Sequence, residues 1–195
     1  MLGGTYGKFL HVDLTTSQWR VETPPDELFR QLIGGRALVA YLLLRDLPAG
    51  TPALDPANLL IFAPGILQGT NLPGAGRHGV GGKSPLTGAL ASAEAGGWWG
   101  HEFKRAGYDA LIVHGRADTP VYLYIHDGEV EIRPAAHLWG QLTAPVQGQD
   151  AVRYCARGAG IRLGGRRRSK RLWFESGGHR AALGPDFLSG GDRRR

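Results

Sequence analysis

Residues 74–100 read GAGRHGVGGKSPLTGALASAEAGGWWG, which is too rich in glycine for an ordinary helix or core strand. Glycine at this density indicates a backbone that comes close to another group, because a side chain would stand in the way. Within the stretch, residues 77–83 and 87–95 are predicted to pair as strands around a turn at Ser84-Pro85. The stretch therefore predicts an antiparallel hairpin whose backbone lies close to a neighbour.

Gly96 lies where this hairpin gives way to a predicted helix that runs to about Arg105. Free backbone N–H groups and the helix dipole attract anions to such a junction. Antiparallel pairing brings Arg77 and Glu94 to the same end of the hairpin as Gly96, and an arginine there can make charge-assisted contacts to phosphate. These residues indicate a domain that binds an anion or an anionic cofactor.

Plainer interpretations of the same residues stay open. Glycines in strands often mark bulges or close packing, and a lone arginine often forms only a surface ion pair. Tryptophans at the start of a helix, such as those at 98–99, are more typical of core packing than of a stacking platform. The run GAGRHG does not follow a strand and open a helix, so it is not a dinucleotide-binding fingerprint.

Outward from this stretch, apolar periodicity predicts short strands and helices. The predicted elements are a hairpin over 6–22, helices over about 26–33 and 36–47, strands at 58–63 and 108–114, a hairpin over 121–133 and a helical turn at 135–140. Strands and helices are mixed without regular alternation, and the sequence predicts an α+β fold.

The basic character of the chain belongs to its C-terminal tail. The formal net charge of the 195 residues is +6, but residues 1–150 carry −3 and residues 151–195 carry +9. The main body therefore lacks the basic stripe that nucleic-acid binding needs, and a nucleic-acid-binding arm in the tail is a weak alternative. Apolar residues are sparse in the tail, so a disordered or irregular structure is expected after about residue 145.

Several other functional classes find no support in the sequence. No apolar run approaches the length of a membrane span and no secretory signal is recognised, so a cytoplasmic location is expected. The chain has one cysteine, Cys155, which cannot form an internal disulfide or supply a cysteine-rich metal site. The seven histidines show no metalloprotease spacing, and no catalytic triad is evident.

From Tyr6 to Gly140 the chain resembles the N-terminal domain of the aldehyde ferredoxin oxidoreductase family. The motifs that carry the resemblance are YGKFLHVDLTT (6–16), IGGRALVAYLL (33–43), LLIFAPGILQGTNLPGAGR (59–77), KSPLTG (83–88) and the run from AGGWWG to HLWG (95–140). Their order and spacing agree over most of the body. The resemblance implies two β-sheets with short helices in residues 1–145, and leaves 146–195 as a tail.

In this family the domain forms a base for a tungsten (sometimes molybdenum) bis-pterin. The resemblance implies that Arg77, Glu94 and Gly96 contact this cofactor. Some members have Asn at the position of Glu94, where it helps to hold a Mg²⁺ ion that bridges the pterin phosphates. A carboxylate also offers oxygen to Mg²⁺, although it adds negative charge beside the phosphates.

The resemblance also implies oxidation of aldehydes to carboxylic acids, with ferredoxin as electron acceptor. The family binds a [4Fe–4S] cluster through a C-x-x-C-x-x-x-C set and a further cysteine, and none of these is in this sequence. This chain alone is therefore expected to be inactive. The alternatives are a non-catalytic pterin-binding module, or a partner of a separately encoded C-terminal half.

One short segment of the tail resembles the family. Residues 178–182 read GHRAA and resemble a pterin-contacting segment of the family, but the following LGPDFLSGGDRRR departs from it. We hypothesise that the gene is truncated or that the tail is partly translated out of frame. Resequencing the locus tests this hypothesis, because an intact frame with no family-like sequence downstream contradicts it.

Overall fold

The structure is a computed structural model of the 195-residue chain. It describes residues 4–70, 72–96, 99–126 and 128–140, and the backbone of three further strands at 159–166, 169–176 and 179–183.

Six strands form the first sheet, in the order β2-β1-β6-β3-β4-β5. They are β1 Phe9–Asp13, β2 Gln18–Glu22, β3 Leu60–Pro64, β4 His78–Lys83, β5 Leu90–Ala95 and β6 Ala110–His114. Strands β1 and β6 are parallel, and every other pair in this sheet is antiparallel. The predicted hairpins and buried strands of this sheet are confirmed.

The second sheet has the order β11-β10-β9-β7-β8. Its strands are β7 Val121–His126, β8 Glu129–Pro134, β9 Ala159–Arg166, β10 Ser169–Ser176 and β11 His179–Leu183. The helices are α1 Asp26–Leu32, α2 Gly35–Asp46 and α3 Trp99–Arg105, with a 3₁₀ turn at Ala136–Leu138. Two sheets with short helices confirm the predicted α+β class.

The first sheet is the central layer, because alternate residues of its strands pack on opposite sides. Phe9 and Ile61 point to one face, where they pack with apolar residues of α1 and α2. Leu10 and Phe62 point to the other face, where they pack with α3 and the first strands of the second sheet. This period-2 alternation explains the wholly apolar runs, since both faces of the strands are buried.

Most glycines of β4 are explained by packing within the protein. A Cβ built on Gly79 would lie 2.9 Å from the backbone nitrogen of Arg36, at the start of α2. On Gly81 it would lie 2.5 Å from Cγ1 of Val39, and on Gly82 it would lie 2.6 Å from the carbonyl oxygen of Leu59. The close neighbours that the glycine density predicts are here α2 and the residue that precedes β3, so one of the plainer interpretations holds for β4.

Parts of the tail differ from the irregular structure expected after residue 145. Strand β9 pairs with β7 of the main body, and β10 and β11 continue the sheet. Strand pairing satisfies backbone hydrogen bonds without a long apolar run. Low apolar content in the tail therefore does not predict where it forms strands. The domain boundary at residue 145 and the order of the remaining tail stay predictions, because the segments between these strands lie outside the described residues.

None of the helices in the described part of the chain is long and apolar enough to cross a membrane.

Candidate functional site

The β4–β5 hairpin brings together the residues that the sequence singled out. Gly79 pairs with Glu94 and His78 with Ala95, so Arg77 directly precedes β4 at the end where β5 finishes. Nη1 of Arg77 lies 3.9 Å from Oε2 of Glu94, and the Arg77 side chain is 73% exposed. The predicted proximity is confirmed, and the weakly held guanidinium group of Arg77 is available to a ligand.

Arg36 is a third charged residue of this site, and sequence reasoning missed it. Its Nη2 atom lies 3.4 Å from Oε1 of Glu94, so the carboxylate is flanked by two guanidinium groups. Arg36 lies in the first turn of α2, which contains no acidic residue. A cation is unfavourable at the N-terminal end of a helix dipole. An arginine directly after Gly34-Gly35, at the start of a predicted helix, was therefore the signal in the sequence that could have marked Arg36 as a site residue.

The start of α2 is held beside β4 by close backbone contacts. Gly34 is the N-cap of α2 with φ +78°, and a Cβ there would lie 2.5 Å from the carbonyl oxygen of Pro64. Gly34 also forms an isolated β-bridge with Gly65, whose N–H donates to the carbonyl oxygen of Arg77. These contacts carry Arg36 to the Arg77 end of the hairpin, where α2 has no side-chain cap.

A second group of glycines leaves backbone open beside these charges. A Cβ built on Gly74 or Gly76 would meet nothing within 4 Å, and one on Gly96 would come no closer than 3.6 Å to the carbonyl oxygen of Gly76. Gly96 itself is not helical, and α3 is described from Trp99 onward; the predicted start at Gly96-Gly97 falls partly on residues 97–98, which lie outside the described residues. The open backbone around Gly96 therefore belongs to the loop that precedes this helix.

Behind the site, a buried aromatic layer supports the start of β4. His78 is 2% exposed and its ring lies 4.7 Å from that of Trp99, which in turn packs against Phe62 and Phe103. Burial lowers the pKa of His78 to about 4, so its ring is neutral at physiological pH. This layer fixes the backbone next to Arg77 without adding charge to the site.

The arrangement suits an anion better than a metal held by the protein alone. Two guanidinium groups face one carboxylate, which leaves a net positive charge beside the uncapped N–H groups of α2. Phosphate oxygens match this donor set. Within the described residues, no group of three or more His, Cys, Asp or Glu side chains could hold a metal ion. Glu94 can therefore offer a metal ion only one part of its coordination.

Two features of the sequence fall partly or wholly outside the described residues. Gly178 and Cys155 are not described, and of the GHRAA segment only the backbone of strand β11 is described. The predicted role of this segment as a cofactor contact stays a prediction.

Comparison with known proteins identifies a family for this chain. A family model described as the aldehyde ferredoxin oxidoreductase N-terminal domain matches residues 9–161. The tungsten-containing aldehyde ferredoxin oxidoreductase of Pyrococcus furiosus is 46% identical over 138 residues, which cover 71% of this chain and 23% of that protein. The enzyme of the same name from Thermococcus kodakarensis is 44% identical over 144 residues, which cover 74% of this chain and 24% of that protein.

A solved structure shares the same fold. It is the active-site complex BamBC of benzoyl coenzyme A reductase with 1,5-dienoyl-CoA, which superposes with a TM-score of 0.83 at 31% sequence identity. The likeness covers 97% of this chain and 30% of that chain, so it reaches the strands of the tail. The chain spans about a quarter of the length of the curated relatives that it matches.

Proposed function

The chain belongs to the aldehyde ferredoxin oxidoreductase family, and from this premise we propose that residues 1–145 form one wall of a tungstopterin site. The relatives contain tungsten by name, which implies a tungsten pterin cofactor for the family. For the complete enzyme we propose oxidation of aldehydes to carboxylic acids with ferredoxin as electron acceptor, with tungsten or molybdenum as the metal. The observation that carries the proposal is the Arg36–Glu94–Arg77 cluster beside open glycine backbone.

The residues at the site fit a phosphate-bearing cofactor. Arg77 would neutralise a phosphate group, because its side chain is mostly exposed. Its Nη1 atom lies 3.9 Å from Oε2 of Glu94, which is a weak ion pair. Gly96 would admit the cofactor to the backbone, since the nearest atom to a Cβ there is 3.6 Å away. Glu94 would orient both arginines and offer one oxygen ligand to a Mg²⁺ ion held beside the phosphates.

When bound, the metal pterin supplies the oxygen-transfer and redox chemistry, and the protein binds and orients it. Arg36, Arg77 and Glu94 would bind and orient the cofactor, and no general acid or base is assigned among them. The role of this chain is therefore to position the cofactor. A [4Fe–4S] cluster of the family type would need cysteines from elsewhere, because the sequence contains only Cys155.

We propose that the isolated chain has no turnover. The chain matches only 23–24% of the length of its relatives, so most of their residues have no counterpart here. The same coverage supports the alternative that the chain is a non-catalytic pterin-binding module or the partner of a separately encoded C-terminal half. Reduction of a viologen dye by the purified chain with an aldehyde would contradict the proposed inactivity.

Cofactor retention is tested on the full chain, produced in a host that makes tungstopterin. Tungsten, molybdenum and oxidised pterin fluorescence are measured per chain, with about one metal per chain expected. Arg77→Gln should weaken the affinity for the cofactor about tenfold, the effect of losing one charged hydrogen bond, and so lower the metal content. The control is Arg105→Gln, which removes an exposed arginine paired with Glu102 on α3. Equal metal content in both variants, or none in the unmodified chain, contradicts the proposal.

A further inference from the structure

A polar cleft lies at the other end of the first sheet from the Arg77 cluster. Strands β1 and β6 run parallel, and Asp13 is paired with His114 where both strands finish. Strand β3 begins near this end, because it runs antiparallel to β6, and its last residue Pro64 pairs with His78 at the opposite end. The cleft is therefore separate from the proposed cofactor site.

The cleft has a volume of about 290 Å³, and six of its seven lining residues have polar side chains. Its lining residues are His11, Asp13, Thr16, Gln18, Trp19, Arg20 and His114. The size suits a small molecule or ion rather than a large cofactor.

A hydrogen-bonded chain runs from a carboxylate through two imidazoles to this cleft. Nε2 of His11 lies 2.7 Å from Oε2 of Glu22, and Nδ1 of His11 lies 2.9 Å from Nε2 of His114. The two ring planes are inclined by only 20° with centroids 5.2 Å apart, which suits a hydrogen bond in the ring plane. Since hydrogen bonds lower the pKa of Glu22 despite its burial, the carboxylate accepts and His11 Nε2 donates.

The direction of these hydrogen bonds determines whether Nδ1 of His114 is a donor or an acceptor. A neutral His11 that donates from Nε2 must accept at Nδ1, so His114 donates from Nε2 and keeps a lone pair on Nδ1. No hydrogen-bond partner of Nδ1 of His114 occurs among the described residues. If the pair takes one proton, His11 donates from both nitrogens and His114 must carry its hydrogen on Nδ1. One proton thus converts Nδ1 of His114 from an acceptor to a donor.

Arg20 supplies a second donor at the same place. Its Nη2 atom lies 3.4 Å from Nδ1 of His11, and no carboxylate in the described part of the chain forms an ion pair with it. Protonation of Nδ1 of His11 removes this acceptor, which leaves the guanidinium group to the cleft. Arg20 and His114 both line the cleft, so the guanidinium group and the protonated pair can both offer N–H groups to a ligand there.

We propose that this cleft binds a small oxyanion between the guanidinium group of Arg20 and the imidazole of His114, and that binding is coupled to uptake of one proton by the histidine pair. Inorganic sulfate or phosphate and a small carboxylate share the required chemistry. Arg20 fits an anion because a guanidinium presents several donors to such oxygens.

The charges around the pair agree with this coupling. Desolvation is the main cause that lowers the pKa of both His11 and His114, and Arg20 lowers both further. The opposing groups are Glu22 and Asp46 for His11, and Asp46 and Asp13 for His114. Arg45 of α2 already binds both Glu22 and Asp46. An anion beside Arg20 would add negative charge near His114 and so favour the protonated pair.

Binding is tested by titrating the full chain, ¹⁵N-labelled at histidine, with sodium sulfate at pH 5.5 and pH 8, at constant ionic strength. Sulfate is used because it does not itself titrate in this range. We expect the ring nitrogens of His114 to shift on binding, and the dissociation constant to be about tenfold lower at pH 5.5, which corresponds to a rise of one pKa unit on binding. Calorimetry in two buffers of different ionisation enthalpy should show proton uptake. Phosphate and acetate titrations then rank the anion classes.

Two variants and a control separate a binding site from general charge effects. Arg20→Gln should abolish the shift, and His114→Gln, followed by calorimetry, should leave weaker binding with a reduced pH dependence. Arg30→Gln, on the exposed side of α1, removes one positive charge elsewhere and should change nothing. The proposal is overturned if sulfate leaves the His114 ring signals unmoved, if the affinity is equal at both pH values, or if Arg30→Gln weakens binding as much as Arg20→Gln does.

Discussion

Glu94 lies between Arg36 and Arg77, at 3.4 Å from one guanidinium group and 3.9 Å from the other. All three side chains are substantially exposed, so their mutual attraction adds little to folding stability. Exposed clusters of this kind matter through what they can bind, because the arginines keep donors that a single carboxylate does not use.

Replacing Arg36 with Gln should affect cofactor retention more than folding. We expect the free energy of unfolding to change by less than about 0.5 kcal/mol, because the ion pair is exposed. The affinity for the cofactor should fall about tenfold, since one charged donor is lost, and the tungsten content should fall with it. Urea denaturation and metal analysis measure the two effects. A variant that is clearly less stable but retains its metal would assign Arg36 a structural role only.

His78 should make the domain sensitive to acid. Its pKa is lowered to about 4 in the folded chain, against about 6.5 when unfolded, so the unfolded state binds the proton first as pH falls. The stability that the neutral ring contributes is complete above pH 6.5 and decreases below it. By pH 4 the loss is about 3 kcal/mol.

The measurement for His78 compares unfolding of the unmodified chain and His78→Gln between pH 7 and pH 4. The difference in unfolding free energy between the two proteins should shrink by about 3 kcal/mol over this range. The difference is used because His11 and His114, whose pKa values are also lowered by burial, contribute equally to both proteins. A difference that does not depend on pH contradicts the assignment.

At the scale of elements, α2 and the β4–β5 hairpin are joined by contacts that only glycine permits. A Cβ on Gly79 would lie 2.9 Å from the nitrogen of Arg36 and 3.0 Å from the carbonyl carbon of Gly35. Both are backbone atoms, so relief requires moving the start of α2. The same contact places Arg36 next to Glu94, and the packing of the helix therefore shapes the site.

Gly79→Ala should destabilise the domain by about 1–3 kcal/mol, the cost of overpacking. Gly76→Ala is the matched control, because a Cβ there meets nothing within 4 Å and the φ of Gly76 is not left-handed. The control should change stability by no more than about 0.5 kcal/mol. Urea denaturation gives the unfolding free energy of both variants. Equal losses of stability would show that the contact of Gly79 with α2 is not what makes Gly79→Ala destabilising.

Local patterns in the sequence predicted the hairpins, the helices and the approach of Arg77 to Glu94. They did so because alternation and turn residues act over a few positions. Arg36 was missed because its position depends on how α2 packs on β4, which no local pattern encodes. The parallel pairing of β1 with β6 was not predicted for the same reason, and β9 depends on the edge of β7 for its pairing.

At the scale of the whole molecule, a buried ion pair ties the N-terminal segment to α3. Nζ of Lys104 contacts Oδ1 of Asp109 and donates to the carbonyl oxygen of Gly4. Asp109 also accepts from the backbone N–H groups of Tyr6 and Lys8. Lys104 and Asp109 are only 3% exposed, so each neutralises a charge that would otherwise be buried alone.

Lys104→Met should cost about 3–5 kcal/mol of unfolding free energy, because it leaves the carboxylate of Asp109 buried without its cation. Arg105→Met, at the next position of α3, removes an exposed pair with Glu102 and should cost less than about 1 kcal/mol. Chemical denaturation measures both. The assignment fails if the two substitutions are equally mild, and hydrogen exchange of residues 4–8 shows whether the segment has been released.

The parallel pairing of β1 with β6 has a consequence for synthesis of the chain on the ribosome. Phe9 pairs with Ala110, so β1 waits for its parallel partner, which is made about a hundred residues later. At translation rates of about 5–20 residues per second, that wait lasts roughly 5–20 s. Until then β1 has only the β2 hairpin beside it, and the apolar faces of α1 and α2 have no completed sheet to cover. The nascent chain is therefore a natural client for chaperones during this interval.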